Sequence, residues 1–163
     1  NEDGSANAMT AAWGIICDYT KVMVVLDRNH VTTKNIIKKG AFTVSMATEA
    51  TVVAADYVGI ASANTETNKI EKAGWTVVKS ELVDAPMFAE LPMTLECKLV
   101  DWNEAAERVT GEIVNISADE SVLTDGKIDP AKLKPITFDA VNNTYIGLGA
   151  VVGNAFKDGL KLK

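Results

Sequence analysis

Lys21-Val22-Met23-Val24-Val25-Leu26-Asp27 leads through Arg28-Asn29-His30-Val31-Thr32-Thr33 into Lys34-Asn35-Ile36-Ile37-Lys38-Lys39-Gly40. The first seven residues are a β-rich apolar run and read as a buried or half-buried strand. Residues 34–39 read as a short helix. Two lysines and a glycine able to take the left-handed conformation end it. In the polar turn between them, Thr32 or Thr33 is a natural N-cap. A strand that hands the chain to a helix N-terminus through hydroxyls and basic residues makes a seat for an anion. Unpaired amides point outward, the helix dipole adds partial positive charge, and Arg28 and His30 stand alongside. The same residues also make an ordinary capped loop, and spacing alone does not separate the two readings.

Composition narrows what such a seat would hold. At 163 residues, the chain is read as one domain over 1–163 with a substantial core. Hydrophobic residues at 47% and charged ones at 23% mark ordinary globular protein. A net charge of −6 argues against nucleic acid or an anionic membrane as partner, because both need a basic face. A bound phosphate would therefore be held by a local seat and not by a global field. Cys17 and Cys97 lie far apart in apolar contexts and read as two buried reduced thiols; with a single histidine, no metal site is expected. No apolar run reaches membrane-spanning length. The opening Asn1-Glu2-Asp3-Gly4-Ser5 reads as a turn within a hairpin, so a first strand is expected to lie before residue 1. No leader-like segment is present, and the expected location is cytoplasmic.

Along the chain, strands are expected within 11–17, 21–27 and 40–47, with Phe42, Val44 and Met46 on one face. Residues 48–60 carry Val52, Val53, Tyr57 and Ile60 near helical spacing, and 68–74 read as a short glycine-ended helix. From Trp75 the pattern turns to β. Strands are expected at 75–79, 95–102 and 108–117, with Pro86 and Pro92 in a loop or short helix between the first two and a hairpin turn at 104–107. Residues 119–135 read as loop with one helical turn starting at Pro130, followed by short strands at 136–138 and 144–148 and a helical tail at 151–156. Many short strands with a few inserted helices give a mainly β fold, a β-barrel with helical excursions.

Catalytic side chains are scarce. His30 would have to serve any histidine-dependent pair, neither cysteine shows local activation, and no phosphate-binding glycine motif is present. No catalytic residue is assigned. A chain with a phosphate seat and little acid, base or nucleophile points to chemistry borrowed from a cofactor. Asn7-Ala8-Met9-Thr10, followed by Trp13, fits that idea: small side chains admit a ligand, Asn7 and Thr10 exchange hydrogen bonds, and Trp13 offers a flat face. A solvent loop beside a core tryptophan is the plainer alternative.

Several motifs in order resemble the flavin reductase-like family with its FMN-binding split β-barrel, close to the flavoredoxin branch. They are Asn7-Ala8-Met9-Thr10-x-x-Trp13, Thr32-Thr33-x-Asn35-Ile36, Phe42-Thr43-Val44-Ser45, Ala55-Asp56-Tyr57-x-Gly59 and Asn68-Lys69-Ile70-Glu71-Lys72-Ala73-Gly74. The run from Leu91 to Lys98 and the closing Tyr145-Ile146-Gly147-Leu148-Gly149 belong to the same likeness. The resemblance implies a homodimer with one non-covalent FMN per subunit near the interface. It implies that Asn7 to Thr10 line the isoalloxazine and ribityl chain, with Trp13 packed close by. His30, Thr32 and Thr33 would hold the phosphate, Ser45, Met46 and Ala47 would run under the flavin, and Lys69 would add a positive contact. Many relatives carry arginine or lysine where this chain has His30, which implies a phosphate contact that weakens as pH rises. The implied activity passes electrons from NADH, NADPH or a protein donor through FMN to free flavin, a redox protein or another acceptor. A flavoredoxin-like electron carrier and a non-catalytic small-ligand-binding barrel are the alternatives.

Overall fold

The computed structural model describes residues 1–163. In chain order the elements are β1 (Gly14–Asp18), β2 (Lys21–Val25), α1 (Val31–Lys39), β3 (Ala41–Ser45), α2 (Val52–Ile60), α3 (Lys69–Lys72), β4 (Val77–Lys79) and β5 (Pro86–Phe88). There follow β6 (Met93–Asn103), β7 (Arg108–Ala118), β8 (Leu123–Thr124), β9 (Lys127–Ile128), α4 (Pro130–Leu133), β10 (Ile136–Asp139) and β11 (Thr144–Gly147). Five strands form one antiparallel sheet in the order β1-β2-β7-β6-β3, and three two-stranded ribbons, β4-β5, β8-β9 and β10-β11, are added to it.

Strand alternation fixes the sheet's inner face. Val22, Val24 and Leu26 are buried while Lys21, Met23 and Val25 between them are only partly covered, the period expected of a strand with one face on a core. These three residues and Ile36 of α1 supply half of an eight-residue core completed by Phe42, Leu95, Cys97 and Val109. Gly111 of β7 makes room there. A Cβ at that position would lie 2.4 Å from Phe42 Cζ and 3.1 Å from Cys97 Cβ. A second cluster, Val58, Ile70, Phe88 and Leu91, packs α2 and α3 onto β5, with the Trp75 and Phe88 rings 5.0 Å apart.

The structure corrects several sequence expectations. Helix α1 starts at Val31 and not Lys34, and its N-cap is His30, so neither Thr32 nor Thr33 caps it. Gly40 takes the left-handed conformation at φ 66° and its amide returns to Ile36 O, as its position after two lysines predicts. Residues 48–51 are a turn held by Thr48 N donating to Thr51 Oγ1. Helix α2 buries Ala55 and Val58, whereas Val53 and Ile60 are exposed. Pro86 opens strand β5, a first-residue position that needs no amide donor. Residues 151–156 are not helical; a 3₁₀ turn follows at Asp158–Leu162.

The two thiols differ. Cys97 is wholly buried and burial, with the Glu96 charge beside it, pushes its pKa up to about 12, whereas Cys17 is exposed on edge strand β1. The native protein should therefore leave Cys97 unmodified by a thiol-specific reagent, and the second equivalent should react only as denaturant unfolds the chain. Two equivalents consumed by the folded protein would contradict this burial.

Candidate functional site

A cleft of about 1130 Å³ opens between the segment before β1, the end of β3 and the β10-β11 ribbon. Asn7, Ala8, Met9 and Thr10 line it together with Ser45, Met46 and Ala47, so the structure brings together the two stretches picked from sequence. Each is tied in place. Thr10 Oγ1 donates to Ala55 O, where Gly59 leaves room for the threonine. Ser45 Oγ lies 2.8 Å from Thr94 Oγ1, Met46 N donates to Met93 O at 2.9 Å, and Ala47 O accepts from Ile136 N at 3.2 Å.

A second, polar pocket of about 110 Å³ adjoins the cleft. It shares Asn7, Met9, Thr32, Gly59 and Ile60 with the cleft and adds His30 and Lys69. The start of α1 forms part of its wall. No side chain caps that helix end, so its first-turn amides keep their capacity for a ligand. Asn7 Nδ2 donates to Thr32 Oγ1 at 2.9 Å, which leaves the Thr32 hydroxyl proton free for a further acceptor. Asn7 Oδ1 is buried with no partner.

Lys69 is the unusual group. The first residue of α3, it is 4% exposed, because Ile70 docks α3 against Val58 and Phe88. Its Nζ donates to Val58 O at 3.2 Å and Ala61 O at 3.0 Å, carbonyls at the end of α2. No carboxylate pairs with it, and burial pushes its pKa down. An ammonium has three donors, and two are used here. A buried ammonium with a donor to spare, beside an uncapped helix start, has the chemistry to hold an anion.

Three sequence-picked residues stand elsewhere. Thr33 is fully buried and its hydroxyl donates to Asp27 O at 2.8 Å, so it lines neither space. Trp13 is 62% exposed and outside the cleft wall, although Ala12 and Gly14 belong to it. Arg28 turns away to the β6-β7 hairpin, donating from Nε to Glu107 Oε1 at 3.1 Å and from Nη2 to Glu104 O at 2.9 Å. Sequence reasoning missed another part of the lining, where Tyr145 Oη donates to Asp56 Oδ1 at 2.7 Å and stands against Phe138, ring centroids 5.8 Å apart. Burial and Asp56 push the Tyr145 phenol up to about 12. The Phe138–Tyr145 pairing was readable from the two late strands; the tie to Asp56, 89 residues away, had no local signal.

The sequence model of the flavin reductase like domain matches residues 1–134. The chain belongs to the flavin reductase-like family. Among solved structures, the flavoredoxin of Desulfovibrio vulgaris (Miyazaki F) is similar at 38% identity and TM-score 0.89, covering 94% of this chain and 84% of that one. The flavoredoxin from Methanosarcina acetivorans is 29% identical with TM-score 0.85, covering 96% of this chain and 85% of that one. The FMN-binding domain of a flavin reductases-like enzyme from Shewanella baltica is 25% identical with TM-score 0.81, covering 91% and 82%. An uncharacterized protein of Halalkalibacterium halodurans is 31% identical over 114 residues, which are 65% of this chain and 54% of that protein. The chain thus spans about half the length of that relative. Mainly β with inserted helices, the fold is the split β-barrel of this family. No helix is long and apolar enough to cross a membrane.

Proposed function

We propose that the cleft binds FMN non-covalently, with the phosphate in the small pocket. We propose further that the protein passes electrons from NADH, NADPH or a protein donor through that flavin to free flavin or another acceptor. The observation that carries the reading is Lys69, a buried ammonium with no carboxylate partner, lining the same small space as Thr32 and the start of α1. Lys69, the Thr32 hydroxyl and the α1 amides would hold the phosphate, and His30 would close its exposed side. Asn7 to Thr10 and Ser45 to Ala47 would hold and orient the ring system from two sides and exclude water from it. When bound, FMN supplies the two-electron redox chemistry, which asks for no acid or base from the chain.

A second reading, an electron carrier without substantial nicotinamide oxidation, is supported by the likeness to two flavoredoxins. One experiment separates the readings. FMN at 100 times its Kd should stabilise the protein by about 2.7 kcal/mol in thermal or urea unfolding. The anaerobic spectrum should then bleach on adding NADH or NADPH if the protein is a reductase. For a carrier it should bleach only with a reduced redox protein or a chemical reductant. Protein that neither retains FMN nor gains stability from it would be a barrel for another small ligand.

We also propose a homodimer joined through β1. Every residue of this edge strand is exposed, including the apolar Ile15 at 59% and Ile16 at 56%, both of which line the cleft. An apolar unpaired edge calls for a partner. Sedimentation should give a dimer, and Ile16→Lys should give monomers that bind FMN more weakly; an Ile16→Lys protein that stays dimeric would overturn the placement.

A further inference from the structure

Glu96 is a buried carboxylate that the site described above leaves without a role. It lies on β6 at 2% exposure. Its Oε1 accepts from Asn115 Nδ2 at 2.6 Å and Ser117 Oγ at 2.8 Å, and its Oε2 accepts from Ser80 Oγ. No lysine, arginine or histidine pairs with it. Burial pushes the carboxyl up, but the bonds from Ser80, Asn115 and Ser117 outweigh that and hold it below its usual value. The carboxylate is therefore ionised at neutral pH. Neutral donors satisfy its lone pairs without cancelling its charge, and a low local dielectric lets the field of that charge reach its surroundings.

That charge stands one strand behind the cleft wall. Glu96 is directly opposite Thr43 in the β3-β6 register. Such pairs put their Cβ atoms about 4.5–5.5 Å apart on one face. Thr43 lines the cleft, as does Ser45, which is bonded to Thr94 two residues before Glu96 on the same face. The network is also fixed in place. Ser80 gives its proton to Glu96 while its oxygen accepts the amides of Leu82 at 3.1 Å and Val83 at 3.0 Å, in a turn that leads to cleft-lining Asp84 and Ala85.

We propose that Glu96 lowers the reduction potential of a flavin held in the cleft, by fixing a negative charge behind the wall formed by Thr43 and Ser45. This rests on the FMN reading above. At neutral pH, full reduction of a flavin adds two electrons from the reductant and one proton from solvent, a net gain of one negative charge. Glu96 opposes that gain and so weakens the binding of reduced flavin relative to oxidised flavin. Lys69 differs from it, acting first on the phosphate, whose charge does not change on reduction.

The test compares Kd for oxidised FMN in air with Kd for dithionite-reduced FMN under argon, alongside a dye-coupled potentiometric titration. In Glu96→Gln the ratio of reduced to oxidised Kd should fall about tenfold, equivalent to a midpoint about 30 mV more positive for a two-electron couple. Glu96→Asp keeps the charge while disturbing the packing, and its ratio should stay with the wild type. An unchanged ratio in the Gln variant, or an equal shift in both variants, would overturn the inference. Should the Gln variant not fold, Glu96→Met replaces the network by an apolar side chain of similar size and carries the same expected and overturning results. Wild-type protein that does not bind oxidised FMN would defeat the cofactor reading itself, and this inference with it.

Discussion

Lys69→Met should weaken FMN binding by about 2–5 kcal/mol, the range for removing one partner of a buried charged contact, or roughly 30-fold to several thousand-fold in Kd. Riboflavin, which lacks the phosphate, should bind both proteins alike. Fluorescence titration with each ligand distinguishes loss of the phosphate contact from general damage to the cleft, and an equal loss for both would remove Lys69 from the phosphate site. The flavin-free protein supplies an independent sign. Because burial lowers the Lys69 pKa, the unfolded chain binds more protons than the folded one between that lowered value and the ordinary lysine value near 10.4. Stability of the flavin-free wild type should therefore rise with pH across that window. At lower pH, where both states are protonated, the full penalty of the buried charge remains. The rise should vanish in Lys69→Met, and saturating FMN should flatten it by restoring the protonated lysine. Urea midpoints taken from pH 7 to pH 10 would show each of these outcomes.

Gly111→Ala should destabilise the fold by about 1–3 kcal/mol, the usual effect of forcing a methyl into a packed core. On strand propensity alone the sign would be the reverse, since glycine weakens a strand interior. The contact decides the matter, because the new Cβ would lie 2.4 Å and 2.6 Å from the tip of the Phe42 ring, inside any tolerable separation. Phe42 is buried in the main core and also lines the cleft, so the strain falls on a residue of the cleft wall. Thermal unfolding should show a drop of roughly 2–4 °C per kcal/mol for a chain of this length. Phe42→Leu in the Gly111→Ala background should recover part of the loss. A Gly111→Ala protein as stable as wild type would show that the sheet relaxes around the contact.

Local chemistry carried much of the fold. The alternation Val22-Val24-Leu26 and the glycine after Lys38-Lys39 each declare their structure within a few residues. What the sequence hid was settled by distant partners. Thr33 looks like a cap or a phosphate ligand until Asp27 O is found within reach of its hydroxyl, and Arg28 looks like part of an anion seat until the 104–107 turn folds back to it. Pro86 opens a strand because β4 is there to pair with it. Cys17 sits in an apolar run that reads as core but forms an edge. Asn7-Ala8-Met9-Thr10 and Ser45-Met46-Ala47, both named from sequence, line one cleft. The Tyr145–Asp56 wall and the Glu96 network, by contrast, depend on pairings across the sheet that no window of sequence contains.

The clasp of Arg28 on the β6-β7 turn has a consequence for how quickly a ligand settles. With Arg28 fastened to Glu104 and Glu107, and Thr33 to Asp27, the loop that delivers the first turn of α1 is held at both ends by the protein's own bonds. The amides beside the small pocket are therefore already aligned before anything arrives, and no loop must be ordered on capture. An anion bound there, as the proposed phosphate site requires, would meet a finished socket, and its residence time would be governed by the strength of the contacts inside and not by the reopening of a lid.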